Sequence, residues 1–147
     1  MIKKILVATD ASDASNRAVT MAAFLAASHD ADLLILHVIR DMQLPATLRK
    51  TPEIEEFANR REDILRQVAE TILKEAEANA RRDGAKRIQT AIGIGDPALS
   101  VLGFSKRRRI DTIVVGTRGH GKVKDLLIGS VSRKIANGAE ANCLIVR

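Results

Sequence analysis

Glycines and hydroxyl side chains are concentrated in the last third of the chain, between residues 116 and 132. The segment reads GTRGHGK from Gly116 and closes with Gly129, Ser130, Val131 and Ser132. It follows an apolar run and leads into a helical pattern, so its glycines let backbone N–H groups approach a ligand while the helix start adds partial positive charge. The pattern favours an anion site, above all for phosphate, with the serine hydroxyls as donors or helix caps. Glycines that only make turns are the alternative.

The spacing of these glycines excludes two common phosphate motifs. No Gly-Lys-Ser/Thr follows a Walker A spacing, and no G-x-G-x-x-G dinucleotide fingerprint is present. Arg118 and Lys122 could pair with phosphates or be solvated, and Asp125 could hold a metal with the phosphates or face solvent. His120 is the one credible acid or base in the segment, with an exposed loop residue as the alternative. His37 ends an apolar run and is predicted to be packed or hydrogen-bonded rather than a ligand.

The charge balance indicates an anionic partner. The chain has 147 residues with 24 Lys+Arg against 18 Asp+Glu, a formal net charge of +6, and residues 97–147 hold 10 basic and 3 acidic side chains. Nucleic acid, a membrane surface or a phosphorylated small molecule would fit this excess, as would an ordinary solvated surface. Aromatic residues make up only 2% of the chain. This scarcity counts against a nucleic-acid partner, because single-strand sites stack bases on aromatic rings.

Length and composition predict one domain over residues 1–147. No apolar run approaches the ~18 residues of a membrane span, and the run at 5–8 is too short for a secretory leader. The single cysteine, Cys143, excludes an internal disulfide and is predicted to be a small core residue. No membrane association and a cytoplasmic location are therefore expected. We find no nucleophile–base pair and no cluster with metal-ligand spacing.

Apolar runs and turn signals predict five strands alternating with four helices. The strands are expected at 4–8, 32–38, 88–94, 111–115 and 143–146, and the helices at 14–28, 52–83, 98–109 and up to about 137. In the long second helix, the apolar stripe consists of Phe57, Ile64, Val68, Ile72 and Ala76. Continuous apolar strands are typical of a parallel sheet buried on both faces. The predicted fold class is therefore α/β.

Several stretches together resemble one known family. Gly116-x-x-Gly119, nine residues, then Gly129-Ser130 is similar to the Gly-x-x-Gly-x9-Gly-Ser/Thr signature of the nucleotide-binding branch of the universal stress protein family. The segments 5–12, 36–38 and 95–97 resemble that family's first strand and turn, the end of its second strand, and the turn before its third helix. The resemblance runs from residue 2 to residue 147 and implies an open, mostly parallel five-stranded sheet of order 3-2-1-4-5, with helices on both faces.

The resemblance also implies ATP as the ligand. Ala8, Thr9 and Asp10 would line the adenine and ribose side, with Asp10 accepting hydrogen bonds from the nucleoside, and Val38 would contact the adenine. The family often has proline at the position of Ala8, so alanine here gives a less rigid wall. The ribose would be flanked by Val115 and Gly116, and the phosphates would be held by Gly119, Gly129, Ser130 and Val131. Whether Mg²⁺ accompanies the ATP is left open.

These residues predict a cytoplasmic ATP-binding stress-response protein that acts as a nucleotide-dependent sensor or binding module. Its output would pass to a protein partner that the sequence does not name. A slow ATP hydrolase using Asp125 or His120 is the alternative, and a nucleic-acid-associated protein is a weaker third. The apolar last strand, 143–146, is expected at the sheet edge, where two copies of the chain would pair as a homodimer.

Overall fold

The computed structural model describes residues 1–42, 44–117 and 128–147. In order along the chain, these residues form β1 (Lys4–Ala8), α1 (Asp13–His29), β2 (Asp32–Ile39), a 3₁₀ turn (Leu48–Lys50), α2 (Pro52–Arg82), β3 (Arg87–Ile94), α3 (Pro97–Arg108), β4 (Thr112–Gly116), α4 (Ser130–Gly138) and β5 (Asn142–Val146). The predicted strands and helices are confirmed, with each predicted boundary within two residues of the observed one.

The five strands form one sheet in the order β3-β2-β1-β4-β5, with every neighbouring pair parallel. Residues of α1 and α2 pack on one face, against inward side chains such as Ile5 and Leu33. Residues of α3 and α4 pack on the other face, against side chains such as Leu6 and Ile113. The predicted fold class and strand order are confirmed. No helix in the described part of the chain is long and apolar enough to cross a membrane.

Small side chains let α1 lie close to the sheet. Ala18, Ala22 and Ala26 of α1 are buried in the same cluster as Ile5 and Val7 of β1. A helix face made of alanine brings the helix axis near the strands, so the core is filled by aliphatic residues of β1, β2 and β4. Close packing of α1 also fixes where the first turn of this helix begins, next to the end of β1.

The predicted apolar stripe of α2 is wrong in its first half. Phe57, Ile64 and Val68 are exposed, at 57%, 60% and 46%, and Ile72 is only half-buried. Ala76, in the second half of the stripe, is buried as predicted, together with Ala69, Leu73 and Ala80, which the stripe did not include. A helix of 31 residues is about 46 Å long, whereas the eight-residue β2 spans about 27 Å. The helix is therefore longer than the strands that it covers, and its buried residues all lie in the half that leads to β3.

Asp111 joins the amino ends of β1 and β4. Its Oδ2 accepts the backbone N–H groups of Lys3 and Lys4 at 2.8 and 2.9 Å, and its Oδ1 accepts the Thr112 hydroxyl at 2.9 Å. Partial burial alone would raise the pKa of Asp111, but these three hydrogen bonds outweigh it and hold the pKa below the ordinary value. The charged carboxylate thus stabilises the start of the central strand pair.

We expect Asp111→Asn to destabilise the protein more at pH 7 than at pH 2. A carboxylate with a depressed folded-state pKa contributes its stabilisation above the unfolded pKa of about 3.9, and loses it as the pH falls through the folded value. Urea unfolding of the parent and of Asp111→Asn at pH 7 and pH 2 measures the difference in free energy of unfolding between the two proteins at each pH. A difference between parent and variant that is as large at pH 2 as at pH 7 would contradict this role of the charge.

Candidate functional site

The carboxyl edge of the sheet opens a crevice between β1 and β4. These strands are neighbours, yet β1 continues into α1 on one face and β4 leads to α4 on the other. In open α/β sheets, ligands bind where the strand order reverses in this way. Every residue described below lies at or next to this edge.

The turn after β1 is held by its own side chains. Thr9 is 4% exposed, and its hydroxyl lies 3.2 Å from the Ser15 hydroxyl and accepts the N–H of Ala11 at 3.2 Å. Asp10 Oδ1 accepts the N–H of Ser12 at 2.9 Å. These bonds stabilise Ala11 at a φ of 63°, a left-handed conformation that costs a non-glycine residue about 1–2 kcal/mol.

Ser12 and Ser15 define where α1 begins. The Ser12 side chain caps the helix by accepting the N–H of Ser15 at 3.2 Å, while the Ser15 hydroxyl donates to the carbonyl of Ser12 at 3.0 Å. The Ser15 hydroxyl also accepts the N–H of Asp10 at 3.3 Å. One buried hydroxyl therefore ties the first turn of α1 to the end of β1.

Gly116 lies between the first turns of two helices. A Cβ added at this position would be 2.7 Å from the carbonyl carbon of Ala14, in the first turn of α1. On its other side, the Gly116 carbonyl accepts the Ser132 hydroxyl at 2.6 Å, from the first turn of α4. Only glycine allows this approach without displacing backbone. The end of β4 thus brings the amino ends of α1 and α4 together.

The amino end of α4 presents N–H groups at the crevice. Gly129 is its N-cap, and the Gly129 N–H donates to the Thr117 carbonyl at 2.6 Å. The N–H groups of Ser130, Val131 and Ser132 belong to the first turn, so the helix itself offers them no carbonyl four residues earlier. Together with the macrodipole of α4, they make this a place suited to an anion.

Nine of the ten residues predicted to contact the nucleotide lie at this edge. Ala8 ends β1, and Thr9 and Asp10 follow it. Val38 lies next to the end of β2, and Val115 and Gly116 end β4. Gly129 is the N-cap of α4, and Ser130 and Val131 begin this helix. Gly119 lies outside the described residues, as do Arg118, His120, Lys122 and Asp125. Across the described ranges, no group of three or more potential ligand side chains is placed to hold a metal ion.

Thr9, Gly129 and Ser132 make hydrogen bonds that the sequence did not predict. The hydroxyl of Thr9 forms hydrogen bonds within the turn after β1, so this side chain stabilises the turn that borders the crevice. The N–H of Gly129 donates to the carbonyl of Thr117, whereas the N–H groups of Ser130 and Val131 have no carbonyl four residues earlier in the helix. Ser132 is buried, and its hydroxyl donates to the carbonyl of Gly116 rather than capping the helix.

Sequence reasoning missed Ser15 and the contact that His37 makes. The prediction that His37 is packed or hydrogen-bonded is confirmed, since its Nδ1 lies 2.8 Å from the carbonyl oxygen of Thr9. Ser15 follows Ser12 by three residues, which is the spacing of a helix cap and the one local signal that could have identified it. Nothing local indicates that residue 37 contacts residue 9.

The sequence profile of the universal stress protein family matches residues 1–147. The chain belongs to this family. It is 36% identical over 147 residues to a universal stress protein of Thermus aquaticus, with all of both chains covered. Among solved structures, this universal stress protein is similar to UspA from Lactobacillus plantarum, with a TM-score of 0.87, 26% identity, and 99% and 97% of the two chains covered. Another neighbour is a universal stress protein in complex with cAMP, at 28% identity and a TM-score of 0.72, covering 99% and 96%.

Proposed function

We propose that this universal stress protein binds ATP in the crevice between β1 and β4, and acts in the cytoplasm as a nucleotide-dependent binding module. The observation that carries the proposal is the position of Gly116, which brings the first turns of α1 and α4 to one point. Two helix amino ends at one crevice favour a ligand with several negative charges. A nucleoside triphosphate is such a ligand.

The phosphates are assigned to the amino end of α4. The N–H groups of Ser130 and Val131 would donate to phosphate oxygens, and Ser130 is exposed, so its hydroxyl is accessible as a further donor. Gly129 has no side chain, so the approach to these N–H groups stays open. Charge-assisted hydrogen bonds of this kind are worth about 1.5–3 kcal/mol each.

The nucleoside is assigned to the ends of β1 and β2. Asp10 is half-buried, and the bond from Ser12 N–H to its Oδ1 keeps its carboxylate at the edge of the sheet. Carboxylate oxygens accept hydrogen bonds from ribose hydroxyls. Val38 is half-buried among apolar residues of the α3–α4 face and would offer an apolar wall to the adenine. The solved complex of a related universal stress protein with cAMP supports an adenine nucleotide as the ligand class.

The nucleotide that the protein carries tests the proposal directly. We expect mass spectrometry of small molecules released from freshly purified protein to detect ATP, and calorimetry to give a dissociation constant of 1 mM or tighter, equivalent to about 4 kcal/mol or more. Titrations with and without Mg²⁺ separate a requirement for the ion from binding of the nucleotide alone. Release of no nucleotide, together with no heat of binding up to 10 mM ATP (about 2.7 kcal/mol), would refute the proposal.

We further propose that two copies of the chain pair through β5. The Asn142 N–H donates to Asp111 and the Val146 carbonyl accepts from Thr117, so the backbone groups of these residues face β4. By strand alternation, the N–H and C=O groups of Cys143 and Ile145 point away from the sheet. A two-fold axis through Leu144 would set Cys143 opposite the partner's Ile145, joining the two sheets. A protein partner would then recognise whether this dimer has bound nucleotide.

A further inference from the structure

His37 connects the end of β2 to the turn that borders the crevice. Its Nδ1 lies 2.8 Å from the carbonyl oxygen of Thr9, 28 residues earlier in the chain. A carbonyl oxygen can only accept, so Nδ1 carries the proton and donates. Residues 33 and 35 of β2 face α1 and α2, which places the His37 side chain on that same face by strand alternation.

The bond from His37 to Thr9 lies where the backbone hydrogen bonding between β1 and β2 ends. The register between β1 and β2 ends at the pair Ala8–Leu36, and the Thr9 N–H makes one more bond, to the Leu36 carbonyl at 2.9 Å. The next backbone acceptor on this side, just after β1, is the carbonyl of Thr9, which bonds to the side chain of His37 rather than to the backbone of β2. Thr9 is buried, so losing this donor would leave its carbonyl without a protein partner in a site of low water access.

The turn held by this bond stores strain. Ala11, two residues after Thr9, has a φ of 63°. Ser15 fixes the turn from the side of α1, through its contacts with Thr9, Asp10 and Ser12. His37 fixes it from the side of β2. A strained turn persists when the surrounding structure determines it from several directions.

We propose that His37 is a positioning residue for nucleotide binding: it holds the carbonyl of Thr9, and through it the Asp10 turn, in the conformation that receives the nucleoside. This inference rests on the proposed function and names a residue that acts without touching the ligand. Its neighbour Val38 forms the apolar wall, so residues 37 and 38 serve one crevice from opposite faces of β2. Binding then depends on the Nδ1–H donor and not on the imidazole as such.

Three variants test the inference by calorimetry with ATP. His37→Leu removes the donor and should weaken binding about ten-fold, the equivalent of one hydrogen bond of about 1.4 kcal/mol. His37→Asn keeps an N–H donor close to the position of Nδ1 and should restore binding to within about three-fold of the parent (about 0.7 kcal/mol). His29→Leu makes the same chemical change at the exposed end of α1 and should leave the affinity unchanged.

Hydrogen exchange provides a readout that does not depend on ATP. The N–H groups of Ala11 and Ser12 should exchange faster in His37→Leu than in the parent or in His37→Asn. If the parent binds no ATP, the proposed function fails, and the exchange rates alone decide whether His37 holds the turn. If the parent binds ATP and the Leu and Asn variants are both unchanged, or both weakened equally, the role of His37 is refuted while the proposed function stands.

Discussion

A valine in place of Gly129 is expected to weaken ATP binding about 100-fold, equivalent to about 2.7 kcal/mol. Gly129 is the N-cap of α4, directly before the N–H groups of Ser130 and Val131. A branched side chain at the N-cap would occupy the space in front of these donors, and so would keep phosphate oxygens from both. Loss of one charge-assisted hydrogen bond, worth about 1.5–3 kcal/mol, is already enough for this magnitude. Isothermal titration calorimetry of Gly129→Val against the parent measures it.

The backbone conformation of Gly129 makes it possible to distinguish an effect of the substitution on binding from an effect on folding. Its φ of −66° and ψ of 161° are open to any residue, so the substitution imposes no left-handed strain. The matched control is Gly103→Val in α3, where the nearest atoms to an added Cβ belong to the guanidinium of Arg107, at 3.0 Å, which can move aside. Both variants should unfold cooperatively, and only Gly129→Val should lose ATP. Equal affinities in Gly129→Val and the parent would place the phosphates elsewhere.

Leu144→Arg is expected to convert the protein from a dimer into a monomer. Leu144 is 37% exposed in β5, and in the proposed pairing it lies on the two-fold axis, facing its own copy. Arginine at this position would bring two positive charges together and remove the apolar contact, while the inner hydrogen bonds from β5 to β4 stay in place. Light scattering coupled to gel filtration should give the parent twice the mass of the 16.0 kDa chain and the variant one chain mass.

The control for this substitution is Leu99→Arg. Leu99 is 70% exposed in the first turn of α3, so the same change in size and charge is made away from β5. This variant should remain a dimer. A parent that is monomeric at tens of micromolar would refute pairing through β5. Its free energy of association would then be weaker than about 7 kcal/mol. A Leu144→Arg variant that stays dimeric would move the interface to another surface.

Local patterns in the sequence were sufficient to predict the elements and their type. Apolar runs bounded by caps and turns predicted each strand and helix, because hydrophobic period and capping chemistry act over a few residues. The resemblance to a known family added the strand order, which no local pattern specifies. Burial was harder to predict, as Phe57 and Ile64 show. They fit the helical period of α2, yet they are exposed because the helix is longer than the sheet that it covers.

The candidate site divides in the same way. Residue types and spacing between 116 and 132 favoured an anion site, because glycines and a helix start lie close in sequence there, and the family resemblance assigned Gly116, Gly129 and Ser130 to it. Tertiary structure alone decided which groups stay available for a ligand. It showed the Gly129 N–H bonded to Thr117, the Ser132 hydroxyl bonded to Gly116, and the carbonyl of Thr9 held by His37. Such contacts join residues far apart in the chain, and they depend on how parallel strands align, which a single sequence does not encode in any short segment.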